Sequence, residues 1–394
     1  MDKMSMQAAD RLGNVHEYYF SAKLEEIRRM NAAGADVLNL GIGSPDLPPS
    51  PKVKAALSKE ASKDDTHAYQ SYNGIPELRA AIADYYDRTY KVNLNPETEV
   101  LPLLGSKEGV SHISMAFLNP GDEVLIPDPG YPTYAVVTQL AGAKPTVYTL
   151  DGENDWGIDW DQLNNMDLSK VKIMWVNYPN MPTGSKGSME LFEEIVAFGR
   201  QHNILICHDN PYSRILNDTP MSMLAVAGAK DVVLELNSLS KSHNMAGWRL
   251  GWVSGREEHI DTVLRYKSNI DSGMFLPVQR GGIAALEEGE AWFEQLNSEY
   301  RTRKDLVCQM LDALGCSYSP DQAGLFVWAR IRDGQESSEI FCDAILKEAN
   351  VFLAPGTIFG KNGEGYVRVS LCNSPKVLIK AGQRISEYAR ITIG

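Results

Sequence analysis

The stretch Asn237-Ser-Leu-Ser-Lys-Ser-His-Asn-Met-Ala-Gly-Trp-Arg-Leu-Gly251 follows an apolar run, Val232-Val-Leu-Glu-Leu236, that is typical of a buried strand. Lys241 therefore stands just beyond a strand end among small polar residues, and Arg249 lies eight residues further on. Desolvation and a nearby cation both lower the pKa of a lysine, which can then form an imine with an aldehyde. A solvated loop lysine is the plain alternative, because lysine is mostly exposed. The rest of the chain decides between the two.

Six further short apolar runs resemble strands, and helix-like stretches separate them. They cover residues 100–104, 123–126, 145–148, 171–176, 204–207 and 250–253. With residues 232–236, this alternation predicts an α/β fold with a mostly parallel seven-stranded central sheet flanked by helices. Beyond about residue 285 the pattern changes to long charged helices and a few strands, which predicts a smaller α+β domain.

The same patterns predict three parts of the chain. Residues 1–50 form an N-terminal segment that packs with the small domain, residues 51–285 form a large cofactor-binding domain, and residues 286–394 form the small C-terminal domain. Helices are predicted at residues 16–32, 51–60, 75–90, 287–314 and 337–349, and a strand at 366–371.

Composition narrows the class of protein. The 394 residues include 38 basic and 51 acidic side chains, a net charge of −13, which disfavours non-specific binding to nucleic acid. No apolar run is long enough for a membrane span, and the first ten residues lack the apolar core of a signal peptide. Five scattered cysteines without a CxxC motif are typical of reduced thiols in a cytoplasmic protein. No pair of histidines suggests a metal site, so we expect none.

Ligands of open α/β sheets bind beyond the carboxyl ends of the strands, so the residues after each strand are informative. Gly105-Ser-Lys-Glu-Gly109 opens a helix and can bind a phosphate through free N–H groups, although a plain strand-to-helix turn is as good an interpretation. Tyr131 lies in a proline-stiffened turn, where its ring can stack on a flat ligand or simply pack.

The next two strand ends carry polar groups. Asn177-Tyr-Pro-Asn-Met-Pro-Thr-Gly184 forms a sharp loop with amide and hydroxyl groups. In His208-Asp-Asn-Pro-Tyr212, Asp209 can hold a protonated ring nitrogen and Tyr212 can bind a phenolic oxygen, whereas His208 is better interpreted as an orienting or packing residue than as a base. Five successive strand ends thus offer the groups that pyridoxal phosphate needs.

On these residues the chain resembles the class I/II aminotransferases, the aspartate-aminotransferase-like group of fold type I enzymes that depend on pyridoxal 5′-phosphate. Within that group it is most similar to the alanine-type and LL-diaminopimelate-type branch. The most specific elements are Ser238-Leu-Ser-Lys241 with Arg249, and then Asp209 with Tyr212. The resemblance implies a transaminase that moves an amino group from an amino acid to a 2-oxo acid by a ping-pong cycle, through a Schiff base on Lys241.

Site roles follow from the resemblance. Lys241, Asp209 and Tyr212 are the implied catalytic residues, acting as Schiff-base lysine, partner of the pyridine N–H and donor to the ring's O3′. The implied cofactor-binding residues are these three with Gly105, Ser106, Lys107, Tyr131, Asn180, Ser238, Arg249 and Tyr69. The implied substrate-binding residues are Gly43, Asn180 and Arg368. For Arg368, in Tyr366-Val-Arg-Val-Ser370, a surface salt bridge is the alternative to a bidentate grip on the α-carboxylate. Tyr69 is implied to reach the neighbouring subunit's phosphate, and hence a homodimer with shared sites.

One position departs from the family pattern. Met181 stands where the loop Asn-Pro-Thr-Gly has its asparagine, and a thioether cannot donate a hydrogen bond. Either Asn180 or Asn177 replaces that contact, or the O3′ contact rests on Tyr212 alone. The segment at residues 267–275 offers Asp271 but no arginine for a second carboxylate, which favours a neutral or amine-bearing donor over aspartate.

Two other functions fit parts of the pattern. A β-lyase that cleaves a C–S bond uses the same fold and cofactor, and a non-catalytic regulator can keep the cofactor pocket as a sensor. The acidic charge argues against DNA binding, and a regulator does not need both Lys241 and Arg368. An aminotransferase is therefore the preferred interpretation.

Overall fold

The elements below come from a computed structural model that describes residues 7–13, 19–335 and 337–392. The helices are α1 Tyr19–Ala32, α2 Pro51–Ala61, α3 Pro76–Tyr90, α4 Ser106–Phe117, α5 Thr133–Leu140, α6 Trp160–Asn164, α7 Met189–His202, α8 Leu239–Ser242, α9 Glu257–Lys267, α10 Leu276–Leu286, α11 Glu290–Ala313, α12 Ser338–Ala349 and α13 Pro375–Thr392. The strands are β1 Leu38–Asn39, β2 Val100–Leu103, β3 Glu123–Asp128, β4 Lys144–Asp151, β5 Gly157–Ile158, β6 Val171–Val176, β7 Leu205–Asp209, β8 Val233–Ser238, β9 Gly251–Gly255, β10 Ser317–Tyr318, β11 Phe326–Arg330, β12 Val351–Phe352, β13 Ala354–Pro355 and β14 Tyr366–Ser370.

The central sheet has the order β2-β9-β8-β7-β6-β3-β4-β5. The pairs β3/β4, β3/β6, β6/β7 and β7/β8 are parallel, and β9 is antiparallel to both β2 and β8. All seven predicted strands are present, so the predicted α/β fold with a mostly parallel sheet is confirmed. The short β5, antiparallel to β4, is an eighth strand that two residues are too few to predict.

Both faces of the sheet are covered, which explains why its strands are nearly continuous apolar runs. All six residues of β8 are buried, and five of the six in β6. Helix α4 approaches the sheet closely at Gly109, where a Cβ atom would lie 2.5 Å from Leu236 and 2.7 Å from Leu103. Only glycine fits there without repacking, and this approach brings the N-terminus of α4 to the strand ends.

A second, antiparallel sheet has the order β10-β11-β14-β13 and packs with α11, α12 and α13. The N-terminal region joins this part, because β1 pairs in parallel with β12 and Lys23 Nζ lies 2.8 Å from Asp343 Oδ1. These contacts support the proposed packing of the segment 1–50 on the small domain. Residues 1–6 and 14–18 of that segment lie outside the described residues. The boundaries at 50 and 285 stay predictions.

The predicted helices correspond to α1, α2, α3, α11 and α12, with ends that agree to within about three residues where they are described. Helix α10 was not predicted, because Gly281 and Gly282 lower its helix propensity. The structure explains Gly282, since a Cβ atom there would collide with Leu250. Helix α13 was also missed, as were short strands such as β12. None of the described helices is long and apolar enough to cross a membrane.

Candidate active site

A cavity of about 490 Å³ opens beyond the carboxyl ends of β3, β6, β7 and β8, between the central sheet and the small domain. Ten of the predicted site residues line it: Gly43, Ser106, Lys107, Tyr131, Asp209, Tyr212, Ser238, Lys241, Arg249 and Arg368. The charged lining is mostly basic, with four cationic side chains and the single carboxylate of Asp209. The cavity therefore suits a ligand that carries several negative charges.

Lys241 lies on the one-turn helix α8, directly after β8. Its Nζ atom donates to the backbone oxygen of Gly43 at 2.6 Å, which turns the amine into the cavity. Burial lowers the pKa of the Lys241 amine, and the cations Arg368 and Arg249 lower it further. The amine is thus closer to its neutral, nucleophilic form than an exposed lysine.

Asp209 is the last residue of β7, and only one of its two carboxylate oxygens has a hydrogen-bond partner. Tyr134 donates to Oδ2 at 3.0 Å, whereas Oδ1 is buried and makes no hydrogen bond. Burial raises the pKa of Asp209 to about 6, although the Tyr134 bond and the positive charges on His208 and Lys241 lower it. A buried acceptor without a donor is costly, so Oδ1 fits the protonated ring nitrogen of a bound cofactor.

Tyr134 is a site residue that the sequence analysis missed. It lies on α5, is 1% exposed, and stacks on Trp175 with ring centroids 5.0 Å apart and an interplanar angle of 3°. Tyr134 lies three residues after Tyr131, in the first turn of the helix that follows the proline-stiffened turn, and this position was the signal that could have identified it. Tyr134 therefore sets the orientation of the Asp209 carboxylate.

The N-terminus of α4 and the side chain of Arg249 form an anion cradle. Gly105 has φ 99°, and a Cβ atom there would collide with the Arg249 guanidinium, so the glycine allows that close approach. Arg249 Nη1 donates to the backbone oxygen of Ala246 at 2.8 Å, and Ser238 Oγ lies 2.8 Å from Ser240 Oγ. Ser240 also lines the cavity and was not predicted. Free helical N–H groups, hydroxyls and a guanidinium together suit a phosphate.

Arg368, on β14, lies at the opposite side of the cavity. It is 5% exposed, and its guanidinium carbon lies 3.9 Å from the ring centre of Phe326 and 4.5 Å from that of Phe359. Nη2 donates to the backbone oxygen of Gly41 at 2.7 Å. The alternative of a surface salt bridge is therefore wrong. A flat guanidinium held between two rings presents its edge to a ligand, as binding of a carboxylate requires.

Met181 occupies the position of the family asparagine, and its sulfur contacts Arg368. The distance from Arg368 Nη1 to the Met181 sulfur is 3.1 Å. Asn177 donates to the Asp209 backbone oxygen at 2.6 Å and accepts from Met181 N at 2.7 Å. Asn180 accepts from Thr183 N and Oγ1 at 3.2 and 2.8 Å and does not line the cavity. The prediction that Asn180 contacts the cofactor and substrate is thus not met in this conformation, because its amide oxygen closes its own loop.

Tyr212 keeps its predicted place, three residues after Asp209, and is 8% exposed. Burial raises the pKa of its phenol, so it is protonated and can donate. Tyr69 behaves differently, because within one chain it is 90% exposed and does not line the cavity. Gly105 does not line the cavity either. Its contribution is that it has no side chain, so the Arg249 guanidinium can lie close to the backbone there.

Among the described residues, Glu108, His112 and Asp271 are a group with the spacing of metal ligands. The amine of Lys267 lies 3.0 Å from Asp271 Oδ1 and already neutralises one of the two carboxylates. This group is outside the cavity, and nothing about it calls for a metal in the chemistry of the site.

Comparisons with known proteins agree with this geometry. The sequence profile described as "Aminotransferase class I and II" matches residues 35–385. The chain belongs to the class I and II aminotransferases. It is 40% identical over 385 residues to the LL-diaminopimelate aminotransferase of Dehalococcoides mccartyi strain 195, which covers 97% of this chain and 99% of that protein.

Solved structures extend the comparison. Substrate-bound BacF from Bacillus subtilis superimposes with a TM-score of 0.92 at 34% identity, over 98% of each chain. A probable N-succinyldiaminopimelate aminotransferase from Thermus thermophilus gives a TM-score of 0.86 at 33% identity, over 93% of this chain and 99% of that one. The predicted family, fold type, cofactor and reaction are thereby confirmed. The protein is a pyridoxal-phosphate-dependent aminotransferase, and the lyase alternative is not favoured.

The raised pKa of Asp209 makes the stability of the cofactor-free protein depend on pH. Between 3.8 and about 6 the folded protein holds a proton on Asp209 that the unfolded chain has lost, so the free energy of unfolding falls as pH rises through this window. The contribution is about 3 kcal/mol. We expect Asp209→Asn to remove this pH dependence. As pH rises from 3.8 to about 6, the free energy of unfolding measured with urea should then fall more for the wild type than for the variant. Parallel pH profiles would contradict the assignment.

Proposed function

We propose that Lys241 carries the cofactor and moves the proton during amino transfer, with Asp209, Tyr212 and Arg368 around it. The observation that carries this proposal is the buried Lys241 amine, which has a lowered pKa and lies in the same cavity as the unpartnered Oδ1 atom of Asp209. The cradle of Ser106, Ser238 and Arg249 would hold the phosphate. Tyr131 would contact the ring face, since it lines the same cavity.

Pyridoxal 5′-phosphate, when bound, supplies an electron-withdrawing ring that stabilises negative charge on the substrate Cα atom. Asp209 Oδ1 would accept a hydrogen bond from the ring N–H and keep that proton in place. Tyr212 would donate a hydrogen bond from its phenol to the ring's O3′ and keep its proton. Lys241 Nζ would accept the proton from the substrate Cα and later release it on the cofactor side, and burial favours this role because it lowers the pKa of the amine.

Arg368 orients the amino acid and the 2-oxo acid through their shared α-carboxylate. Its Nη1 atom contacts a weak acceptor, the Met181 sulfur, and Nη2 donates to the backbone oxygen of Gly41. A carboxylate is a much stronger partner than a thioether, so it displaces the sulfur contact at little cost. Thus Met181 keeps the guanidinium in place and yields to the substrate.

The donor is proposed to be an amino acid with a neutral or amine-bearing side chain, with LL-diaminopimelate as the first candidate. The curated relatives at about 40% identity carry that name. The cavity supports this choice, because Arg249 and Arg368 are its only arginines among the described lining residues and each already has a role. The side chain of LL-diaminopimelate ends in a carboxylate beside an ammonium and has no net charge, whereas the side-chain carboxylate of aspartate would lack a second guanidinium from this chain.

A homodimer with shared sites is also proposed. Four large apolar side chains are exposed on two neighbouring loops, which lie between α2 and α3 and between α9 and α10: Tyr69 at 90%, Tyr72 at 43%, Ile270 at 57% and Phe275 at 46%. The loops are joined, because Lys267 Nζ donates to the Tyr72 backbone oxygen at 2.8 Å. An exposed aromatic patch of this kind marks an association surface, and Tyr69 projects from it.

Lys241 can be tested by fixing the cofactor on the protein. We expect borohydride treatment of the loaded protein to leave the cofactor mass on the peptide that contains Lys241, and Lys241→Ala to lose amino transfer by at least about 10³-fold. Lys107 is the internal control for the labelling, because this lysine lines the same cavity but is exposed, and its peptide should carry no cofactor mass. Cofactor mass on Lys107, or normal turnover by Lys241→Ala, would sink the proposal.

The proposed homodimer is tested by placing a charge in the patch. We expect Phe275→Asp to halve the molar mass in light scattering and to weaken cofactor binding, because the partner's Tyr69 is withdrawn from the site. Ile340→Asp is the control, since Ile340 is 49% exposed and lies on α12, away from the patch. A wild-type monomer, or an unchanged mass for Phe275→Asp, speaks against the shared site.

A further inference from the structure

A buried pair of ionisable side chains lies directly behind the site. His208 on β7 and Glu235 on β8 stand opposite each other in the sheet register, and both are 0% exposed. The distance from His208 Nδ1 to Glu235 Oε2 is 2.8 Å. The proposed reaction uses neither residue. Ionisable side chains are rarely buried completely, because removing them from water costs free energy, so this pair needs an explanation.

The partners of Glu235 fix its charge. Tyr86 Oη donates to Oε1 at 2.8 Å, Met223 N donates to Oε2 at 2.9 Å, and Ser222 Oγ lies 2.9 Å from both oxygens. The Ser222 hydroxyl is free to donate, because its oxygen accepts from Leu224 N. Three donors thus point at the two oxygens of Glu235, as they would at a carboxylate.

The partners of His208 then fix its own protonation. Nδ1 faces the ionised Glu235, and Nε2 lies 3.0 Å from the backbone oxygen of Tyr178, which can only accept. Both ring nitrogens therefore face acceptor oxygens, which is the arrangement that an imidazolium satisfies. The pair is neutral as a whole, as a buried ion pair has to be.

The imidazolium connects to the site through the loop that follows β6. Tyr178, whose carbonyl it holds, is the residue after Asn177, and Asn177 bonds both the Asp209 backbone oxygen and Met181 N. The sulfur of Met181 contacts Arg368. His208 thus holds the loop at Tyr178. The neighbouring Asn177 of this loop positions Asp209 and also Met181, whose sulfur contacts Arg368.

We propose that the His208 imidazolium, with its charge held by Glu235, is a positioning residue for Asp209 and Arg368. The inference rests on the roles proposed above for those two residues. A positive charge on His208 also lowers the pKa of the adjacent Asp209, so it favours the ionised carboxylate as well as its position. His208 itself does not line the cavity.

The decisive variant removes the charges but keeps polar groups in both places. In the His208→Gln/Glu235→Gln protein two amides replace the ion pair, and such neutral replacements often preserve stability, whereas each single change leaves a buried group without its partner. We expect the double variant to keep a melting temperature near that of the wild type. We expect its cofactor dissociation constant and its KM for the amino donor to rise about tenfold, as for other losses of a supporting contact.

The double variant with wild-type cofactor affinity and KM would overturn the inference and leave a purely structural pair. His259→Gln is the control, because this half-buried histidine on α9 is remote from the cavity and should change neither constant. Wild-type protein that neither binds pyridoxal phosphate nor transfers an amino group would instead contradict the proposed function.

If the double variant does not fold, the protonation of the His208 ring can be measured by NMR in the wild type. In the cofactor-loaded wild type labelled with ¹⁵N-histidine, we expect the His208 signal, assigned by its absence in His208→Gln, to show two protonated ring nitrogens. A neutral ring, with one nitrogen unprotonated, would overturn the inference.

Discussion

The parallel alignment of β3, β6, β7 and β8 is the constraint on which the site depends. Parallel strands end at the same edge of the sheet, so the turns after them must converge there. Asp209 and Lys241 follow neighbouring strands, and the loop at residues 177–184 follows the next one. Helix α4 reaches the same edge because Gly109 lets it lie close to β2 and β8. A change in the order of these strands would separate groups that have to act on one ligand.

Charge is distributed over the cavity so that each group has a different task. Burial brings the Lys241 amine towards neutrality, while the same burial makes the Asp209 carboxylate expensive to ionise. A protonated ring nitrogen placed against Asp209 Oδ1 removes that cost, because the carboxylate gains a charged donor. Binding of the cofactor and ionisation of Asp209 are thus linked, and the cations around the cavity favour both.

The sequence allowed the fold and the chemistry of the site to be predicted where the signal is local. Lys241, Asp209 and Arg249 are found because each follows a strand at a recognisable spacing, and the seven strands are found because both faces of the sheet are buried. Tyr134 and Ser240 were missed, although each lies close in sequence to a predicted residue. The contact of Met181 with Arg368 joins residues 187 positions apart, so no local pattern reports it. Asn180 was assigned to the ligand, whereas its amide oxygen caps the turn that ends at Thr183. The role predicted for the exposed Tyr69 requires a second chain, so it stays a prediction.

The central claim is that this protein transfers the amino group of an amino acid to its bound cofactor, and that the side chain of the donor carries no net negative charge. The most direct test is the absorbance spectrum of the loaded protein mixed with LL-diaminopimelate, alanine or aspartate, without any oxo acid. The account predicts complete conversion of the aldehyde form to the amine form by LL-diaminopimelate, reversal by a 2-oxo acid, and little conversion by aspartate. A spectrum that no amino acid converts, or release of ammonia in place of a reversible change, would contradict it.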